Sequence, residues 1–184
     1  MPSEVDGIMP RHPIRSMSAV TALPTNDPAI RILDALRLDG LHAVLRLLNE
    51  RTPHRFTGIF RYDGEMLRNV ILFDVQDPET RRGGDIPMEA SYCALLPATN
   101  SGAFDFNDPH HDPIATSRAQ MTPVVSYCGV LLVDPDGQPF GSLCHYDLKP
   151  CQTRISDLDM LRALAPQLAS AAMAMALALE TSDR

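Results

Sequence analysis

The sequence lacks any cluster of basic side chains, and this absence limits the partners that the chain can bind. The chain has 16 Lys and Arg residues and 23 Asp and Glu residues, which gives a net charge of −7. Arg81 and Arg82 form only a pair. Because a protein that binds duplex nucleic acid needs a basic face to displace counterions, we expect no nucleic-acid partner.

The chain also lacks a targeting signal and a disulfide framework. Its first residues show no basic region followed by an apolar run, so no secretory signal is predicted. The four cysteines match no spacing known from small secreted domains. We therefore expect a cytoplasmic protein with free thiols.

The common enzyme templates are absent as well. The sequence contains no Ser-His-Asp elbow, P-loop, glycine-rich dinucleotide fingerprint or His-Glu-x-x-His motif. Its carboxylates are scattered over loops and helix starts, where capping and solubility explain them. The sequence therefore favours binding over catalysis.

Length and composition favour one domain. A chain of 184 residues with 45% hydrophobic content can bury a single sizeable core. Residues 1–25 hold four prolines among small and polar residues and are predicted to form a flexible leader. The folded domain is predicted over residues 26–180, with a short tail at 181–184.

The first half of the domain shows two helices and a hairpin. Asp27-Pro28 is typical of a helix start, and this first helix is predicted to end near Asp39-Gly40. A second helix follows to about Arg51. Residues 55–62 and 66–73 read as two strands joined by a tight turn.

The middle stretch, residues 74–122, has weak periodicity. A short helix is predicted over residues 89–96, and the remainder is rich in proline and glycine. Long loops inside compact domains are usually lids or binding segments. We therefore expect this stretch to contribute to a functional site.

A second hairpin is predicted over residues 123–147. Asp134-Pro135-Asp136-Gly137 places proline where a turn fixes φ and glycine where φ is positive. In the strand before this turn, alternate residues are apolar on both faces. The strand is therefore expected to be covered on both sides.

The last element is a long helix with Ser156 as its predicted N-cap. Seven residues follow the alternating three-four spacing of a helix seam: Leu158, Leu161, Ala165, Leu168, Ala172, Met175 and Leu179. The seam packs either on the chain's own sheet alone or also on a second subunit. The segment is short, rich in alanine and interrupted by Pro166 and Gln167, so no membrane span is predicted.

Several of these stretches resemble the GAF domain family. They are Ile-Pro-Met-Glu-Ala-Ser-Tyr-Cys at 86–93, Val-Ser-Tyr-Cys-Gly-Val at 125–130, Phe-Gly-Ser-Leu-Cys-His at 140–145 and the closing helix from 157 to 165. The order of helix, hairpin, crossing segment, hairpin and helix over residues 29–179 resembles the same family.

The resemblance implies an α+β fold and a sensory role. It implies a GAF/PAS-like central antiparallel sheet of five or six strands, with N- and C-terminal helices packed on one face. It also implies a pocket on the other face, beneath residues 76–122. Such domains sense small molecules, often as dimers, and their terminal helices carry the signal.

Cys93 is the first candidate for chemistry. It begins the short predicted helix, and a helix N-terminus lowers the pKa of a thiol; the alternative is a small buried hydrophobe. Free-methionine sulfoxide reductases are GAF enzymes with a thiol near this position. They place further cysteines in the segment that follows, whereas this sequence has none before Cys128.

Cofactor and metal motifs are weak. Asp85-Ile86-Pro87 and Cys144-His145 resemble short motifs of bilin-binding phytochrome domains, but residues 116–121 lack the thiol that some branches place there. The run His110-His111-Asp112 reads as a loop bounded by prolines. We predict no metal and name no cofactor.

Two relations within the second hairpin stay open. Cys128 and Cys144 face each other if the turn carries one bulged residue, and the strand face that lines the pocket is not determined by the sequence. The predicted ligand-binding residues therefore come from both faces of the hairpin and from the middle stretch: Tyr92, Cys93, His111, Arg118, Tyr127, Cys128 and His145.

The sequence thus predicts a GAF-type domain that binds a small molecule and signals through its terminal helices, as a homodimer formed by the last helix. Arg118 and the nearby histidines favour a polar or anionic ligand. One alternative is a thiol-based redox enzyme or sensor that uses Cys93. A second alternative is a dimerisation module without a ligand.

Overall fold

Two short helices open the part of the chain that the computed structural model describes, residues 27–182. Helix α1 spans Pro28–Leu38 and helix α2 spans Leu41–Asn49. The Asp27 carboxylate accepts the Ala29 N–H at 2.9 Å and caps α1, as predicted. Gly40 joins the helices with a φ of 80°. The predicted leader lies outside the described residues, as do residues 183–184.

Six strands form one antiparallel sheet. They are β1 (Phe56–Asp63), β2 (Met66–Asp74), β3 (Ile86–Pro87), β4 (Ala103–Phe106), β5 (Ser126–Val133) and β6 (Pro139–Asp147). Their order across the sheet is β3-β2-β1-β6-β5-β4. Both predicted hairpins are confirmed, since β1 pairs with β2 and β5 with β6.

Turn chemistry fixes the second hairpin. The Asp134 carboxylate accepts the N–H groups of Asp136 and Gln138 at 2.9 and 2.8 Å, and Gly137 has a φ of 78°. These contacts realise the predicted turn. Residues of β5 are buried on both sheet faces, as predicted.

The middle stretch crosses the sheet face that the helices leave free. We call residues 86–124 the crossing segment. It contains β3, β4 and three 3₁₀ helices, Met88–Ala90, Tyr92–Ala98 and Ala115–Arg118. The single helix predicted over residues 89–96 is thus wrong, because Ser91 is extended and separates two 3₁₀ turns.

Helix α3 spans Ile155–Ser182 and closes the fold. It begins one residue before the predicted cap Ser156, because the Asp157 carboxylate accepts the Arg154 N–H at 3.2 Å. Its buried side chains include Leu161, Leu168 and Ala172 of the predicted seam. The seam therefore packs on the chain's own sheet.

The composition of α3 also meets the criteria for a membrane span. Among the helices of the described residues, α3 alone is long and apolar enough to cross a membrane, with a mean hydropathy of 1.3. The core helix of a globular domain has the same properties, and α3 packs on β5 and β6. Its composition is weak support for membrane insertion.

Two hydrophobic cores lie on opposite faces of the sheet. The larger one joins α1, α2 and α3 to one sheet face and includes Leu45, Ile59, Leu143 and Leu164. The smaller one lies between the other face and the crossing segment. The described chain is therefore an α+β fold with its helices on one face, as predicted.

Candidate functional site

A cavity of about 30 Å³ lies between the crossing segment and the sheet face opposite the helices. It is not fully enclosed. Twelve residues line it: Phe60, Leu67, Ile86, Ala90, Ser91, Tyr92, Cys93, Thr122, Val124, Tyr127, Cys144 and Tyr146. None of these side chains is an aspartate, a glutamate, a lysine, an arginine or a histidine.

The sheet supplies one wall of the cavity through alternation along β5 and β6. Tyr127 lines the cavity from β5, Gly129 lies on the same face of that strand, and Cys144 lies opposite Gly129 on β6. A Cβ atom at position 129 would lie 2.2 Å from the Tyr127 hydroxyl oxygen. Glycine at 129 is therefore what lets the Tyr127 phenol fold back along its own strand.

The crossing segment supplies the opposite wall, and Cys93 stands at its centre. The Ser91 hydroxyl accepts the Cys93 N–H at 3.1 Å at the start of the 3₁₀ helix. The Tyr62 hydroxyl donates to the Cys93 carbonyl oxygen at 2.7 Å, which ties this turn to β1. The two contacts place the Cys93 thiol against the sheet.

The Cys93 sulfur has two close polar neighbours from the sheet. The Tyr127 hydroxyl donates to Cys93 Sγ at 3.3 Å. Cys144 Sγ lies 3.8 Å from Cys93 Sγ. Cys93 and Cys144 are 4% and 1% exposed, so both thiols belong to the buried floor of the cavity.

This surrounding separates the acidities of the two thiols. Burial by itself raises the pKa of Cys93, but hydrogen bonds from Cys144 and Tyr127 outweigh it and lower the pKa to about 7. Burial, together with the neighbouring Cys93, raises the pKa of Cys144 well above its usual value. Cys93 therefore ionises first, and Cys144 stays protonated as a donor.

The pKa of Cys93 is lowered, but not by the helix N-terminus that the sequence suggested as the cause. The helix that begins at Tyr92 is a 3₁₀ helix of seven residues, and donors from β5 and β6 supply the stabilisation. Burial also raises the pKa of Tyr127 well above its usual value, so its hydroxyl keeps the proton that it donates.

Aromatic rings hold Tyr127 in place. Its ring centroid lies 5.1 Å from that of Phe104 and 6.0 Å from those of Phe106 and Tyr92. The Tyr92 and Phe106 rings meet edge to face at 4.5 Å. Such pairs fix ring orientation, so β4 positions the tyrosine that contacts Cys93.

Three of the seven predicted ligand-binding residues, Tyr92, Cys93 and Tyr127, lie together on the cavity wall. His111 and Arg118 do not line it. His111 is exposed, with its Nδ1 atom 2.8 Å from the Asp108 carboxylate. Arg118 donates to the Met88 carbonyl oxygen at 2.7 Å and braces the crossing segment internally. The expectation of an anionic ligand rested on Arg118 and the histidines, and none of them lines the cavity.

Cys128 and His145 lie on the other sheet face. They are opposite each other in the β5–β6 pair, whereas Cys144 is opposite Gly129. A register shift between Leu132 and Val133 sets this pairing, and a shift of one residue turns a side chain to the other face. Cys128 and Cys144 therefore do not face each other across the hairpin.

A second buried polar group lies on the helix side of the sheet and was not predicted. His54 Nδ1 lies 2.7 Å from the Thr52 hydroxyl, and His145 Nδ1 lies 2.7 Å from the Thr57 hydroxyl. The two imidazoles stack with centroids 6.1 Å apart. Burial lowers the pKa of His54 to about 4 and that of His145 to about 3.

The described residues contain no group of three or more His, Cys, Asp or Glu side chains placed to hold a metal ion. The cavity residues that the sequence did not single out are mostly apolar, such as Phe60, Leu67 and Val124. Cys144 was named in a short motif and as a possible neighbour of Cys128, and not as a ligand-binding residue. Strand alternation would have placed it beside Tyr127 once the register was known.

Comparison with known proteins identifies the family. The fold has a six-stranded sheet with helices on one face and a cavity beneath the crossing segment on the other. The family model for the GAF domain matches residues 37–172, and the chain belongs to this family. A search of curated protein sequences found no significant match.

Solved structures share this fold at low sequence identity. The GAF domain of a phosphoenolpyruvate-protein phosphotransferase from Acinetobacter is 14% identical, with a TM-score of 0.62 over 86% of this chain and 96% of that one. A phycoerythrobilin-bound GAF domain from a cyanobacterial phytochrome is 13% identical, with a TM-score of 0.59 over 83% and 96%. Free methionine-R-sulfoxide reductase from Neisseria meningitidis, in complex with its substrate, is 18% identical, with a TM-score of 0.56 over 82% and 87%.

Proposed function

We propose that this GAF domain is a non-catalytic sensor that binds a small, uncharged molecule in the cavity beneath the crossing segment. The observation that carries the proposal is the cavity itself, which lies beneath the crossing segment and is lined by no Asp, Glu, Lys, Arg or His side chain. Ligand pockets of about 300–1,000 Å³ are mainly apolar with a few polar groups. The free space in this cavity is about 30 Å³, close to the volume of one water molecule. An organic ligand therefore enters only when the crossing segment moves away from the sheet.

The polar groups on the lining favour a ligand with hydrogen-bonding capacity. The cavity walls carry the Ser91 hydroxyl and the Cys93 and Cys144 thiols. Tyr92 also belongs to the lining, and its buried hydroxyl has no hydrogen-bond partner within residues 27–182. Buried polar atoms normally have a hydrogen-bond partner. A ligand that forms a hydrogen bond with the Tyr92 hydroxyl would therefore bind more tightly.

The solved structures of similar fold support a ligand site of this kind. One of them carries phycoerythrobilin, and another is a reductase in complex with its substrate. The ligand of this chain is not carried over from either, because both are less than 20% identical to it. What supports a small neutral ligand is the lining of its own cavity.

A titration with indole, a small neutral aromatic probe, tests the proposal. Amide chemical shifts near Cys93, Tyr127 and Cys144 are expected to change as indole is added, whereas benzoate, which is anionic, leaves them unchanged because desolvating a charge is costly. The measurement is a two-dimensional NMR titration of the full chain.

Two tryptophan substitutions on the crossing segment provide the matched pair for this titration. Ala90→Trp fills the cavity, since Ala90 lines it, and is expected to abolish the shifts. Ala98→Trp is the control, because Ala98 is exposed and lies outside the lining. Equal responses in both variants would contradict the proposal, as would shifts confined to another part of the domain.

We further propose that the signal passes through α3 in a homodimer. The outward side of α3 carries no charge between Arg162 and Glu180. Its exposed side chains are apolar or uncharged polar: Ala163, Pro166, Gln167, Ser170, Ala174, Leu177 and Ala178. Leu177 is 64% exposed. A second copy of the same helix would cover this face by close packing of small residues.

Light scattering on size-exclusion fractions tests the dimer. The full chain is expected to elute with twice its 20.2 kDa mass, and Ser170→Glu is expected to elute as a monomer, because it buries charge in the contact. Ser156→Glu, an exposed change in the first turn of α3, serves as the control. A monomeric parent would refute the dimer, whereas a dimer that binds no indole would favour a module without a ligand.

A further inference from the structure

The cavity floor brings together two thiols from separate elements. Cys93 Sγ lies 3.8 Å from Cys144 Sγ. Because a disulfide requires about 2.05 Å between its sulfurs, the two atoms need to approach by roughly 2 Å. Cys144 is fixed in β6, which is paired on both sides. Cys93 lies on a 3₁₀ turn of the crossing segment, which is the element that can move.

The surroundings give the two thiols different roles. The Tyr127 hydroxyl donates to Cys93 Sγ at 3.3 Å. The Ser142 hydroxyl is buried without a hydrogen-bond partner among the described residues, and its proximity also lowers the pKa of the Cys93 thiol. Cys144 keeps its proton, since burial raises its pKa. Cys93 is thus suited to attack an oxidant. Cys144 is the thiol near enough to supply the second sulfur, since its Sγ atom lies 3.8 Å from that of Cys93, and its proton leaves with the water that is lost.

The other two cysteines do not line the cavity. Cys128 packs in the core on the helix side of the sheet, where burial raises its pKa. Cys151 donates towards the Asp147 carboxylate at 3.4 Å, and burial raises its pKa as well. Among the four thiols, Cys93 and Cys144 are the two that line the cavity, which is open enough for a small oxidant.

We propose that Cys93 and Cys144 form a reversible disulfide when the domain meets hydrogen peroxide. The Cys93 thiolate attacks one peroxide oxygen, an S–O bond forms, the O–O bond breaks, and hydroxide leaves and takes a proton to become water. Cys144 then attacks the Cys93 sulfenic acid, the S–S bond forms and a second water leaves. Two thiols lose two electrons, and one peroxide becomes two waters; a dithiol reductant reverses the step.

The disulfide would change the cavity. Drawing Cys93 towards β6 breaks its contact with the Tyr127 hydroxyl and moves the 3₁₀ turn that forms the cavity wall. The inference goes beyond ligand sensing, because it needs neither a bound molecule nor catalytic turnover. It makes the same cavity responsive to oxidation.

Peptide mapping of the full chain tests the proposal. Reduced protein is treated with stoichiometric hydrogen peroxide at pH 7, and the remaining thiols are alkylated in denaturant. Cleavage before aspartate separates all four cysteines, with Cys93 in residues 85–104 and Cys144 in residues 136–146. The expected result is a loss of two thiols and a cross-link between these two peptides, both reversed by dithiothreitol.

Single substitutions separate the roles of the two thiols. In Cys144→Ser, oxidation by hydrogen peroxide is expected to stop at the Cys93 sulfenic acid, which dimedone traps. In Cys93→Ser, Cys144 is expected to stay reduced. Cys128→Ser is the matched control and is expected to cross-link like the parent. Tyr127→Phe is expected to slow the reaction about tenfold, because it removes a hydrogen bond that favours the thiolate.

Three outcomes would overturn the inference. They are a parent in which Cys93 and Cys144 remain thiols while Cys128 or Cys151 oxidises, a Cys93 sulfenic acid that persists in the parent, and a disulfide with a different partner. A ligand titration that fails while the cross-link forms would reject the sensor proposal and leave this one intact.

Discussion

Lowering the pH from 7 to 4 is expected to remove about 5 kcal/mol of the free energy of unfolding, because His54 and His145 are buried as neutral imidazoles. Each ring has one nitrogen near a threonine hydroxyl, and the two rings stack 6.1 Å apart. The Nε2 atom of His54 is buried without a partner among the described residues. A proton on either ring would therefore be poorly compensated.

Acid is expected to destabilise the folded chain because the pKa values of both histidines are lowered on folding. Burial lowers the pKa of His54 to about 4, with a smaller opposing effect of Asp147, and burial and the neighbouring His54 lower that of His145 to about 3. Between pH 6.5 and these values the unfolded chain binds more protons than the folded one, so stability is complete above pH 6.5 and falls with the pH. Carboxylates whose pKa is lowered on folding, such as Asp74, lose their stabilising contribution mainly when the pH falls below about 4.

Urea unfolding at intervals from pH 7 to pH 4 measures this loss. His54→Leu is expected to reduce the pH dependence by about half, because one of the two proton uptakes is removed. His110→Gln serves as the control, since His110 is exposed. A free energy of unfolding that stays constant from pH 6.5 to pH 4 would contradict the assignment of two neutral buried histidines.

Gly141→Ala is expected to cost more than about 3 kcal/mol of stability or to prevent folding. A Cβ atom at this position would lie 2.0 Å from the Phe60 carbonyl oxygen and 2.9 Å from the Arg61 Cα. Both neighbours are backbone atoms of β1, which pairs with β6 at this point. Relief of the clash therefore requires separation of two central strands.

Chemical denaturation of Gly141→Ala beside Gly84→Ala provides the comparison. No atom lies within 4 Å of a Cβ at position 84, and its backbone is not in the positive φ region. Gly84→Ala is therefore expected to stay within about 1 kcal/mol of the parent. Similar stabilities for the two variants would show that β1 and β6 approach each other less closely than described.

Local chemistry made much of the fold predictable. Asp27, Gly64 and the Asp134–Gly137 turn mark element boundaries through capping and positive φ, and the structure has them where the sequence places them. Alternating apolar residues in β5 showed that both faces of the hairpin are covered. These features depend on residues close together in the chain.

The parts that were not predicted depend on distant residues. Strand β4 is four residues long and lies at the sheet edge, so its pattern is too short to read. The register between Cys144 and Gly129 follows from a bulge that the turn sequence does not specify. The partners of Cys93 are therefore visible only in the folded chain.

The candidate site shows the same division. Tyr92, Cys93 and Tyr127 were predicted from stretches that resemble the family, and they line one cavity. His111 and Arg118 were chosen because they lie in the same loop, yet the loop directs them to Asp108 and to the Met88 carbonyl. Proximity in a loop sequence does not determine which side chains turn inwards.

A native mass spectrum of freshly purified protein tests whether this cavity is a ligand site. We expect a small neutral molecule to remain bound to the parent chain and to Ala98→Trp, and to be absent from Ala90→Trp, in which the cavity is filled. A molecule retained equally by all three proteins, or by none of them, would contradict the claim that this cavity is the binding site.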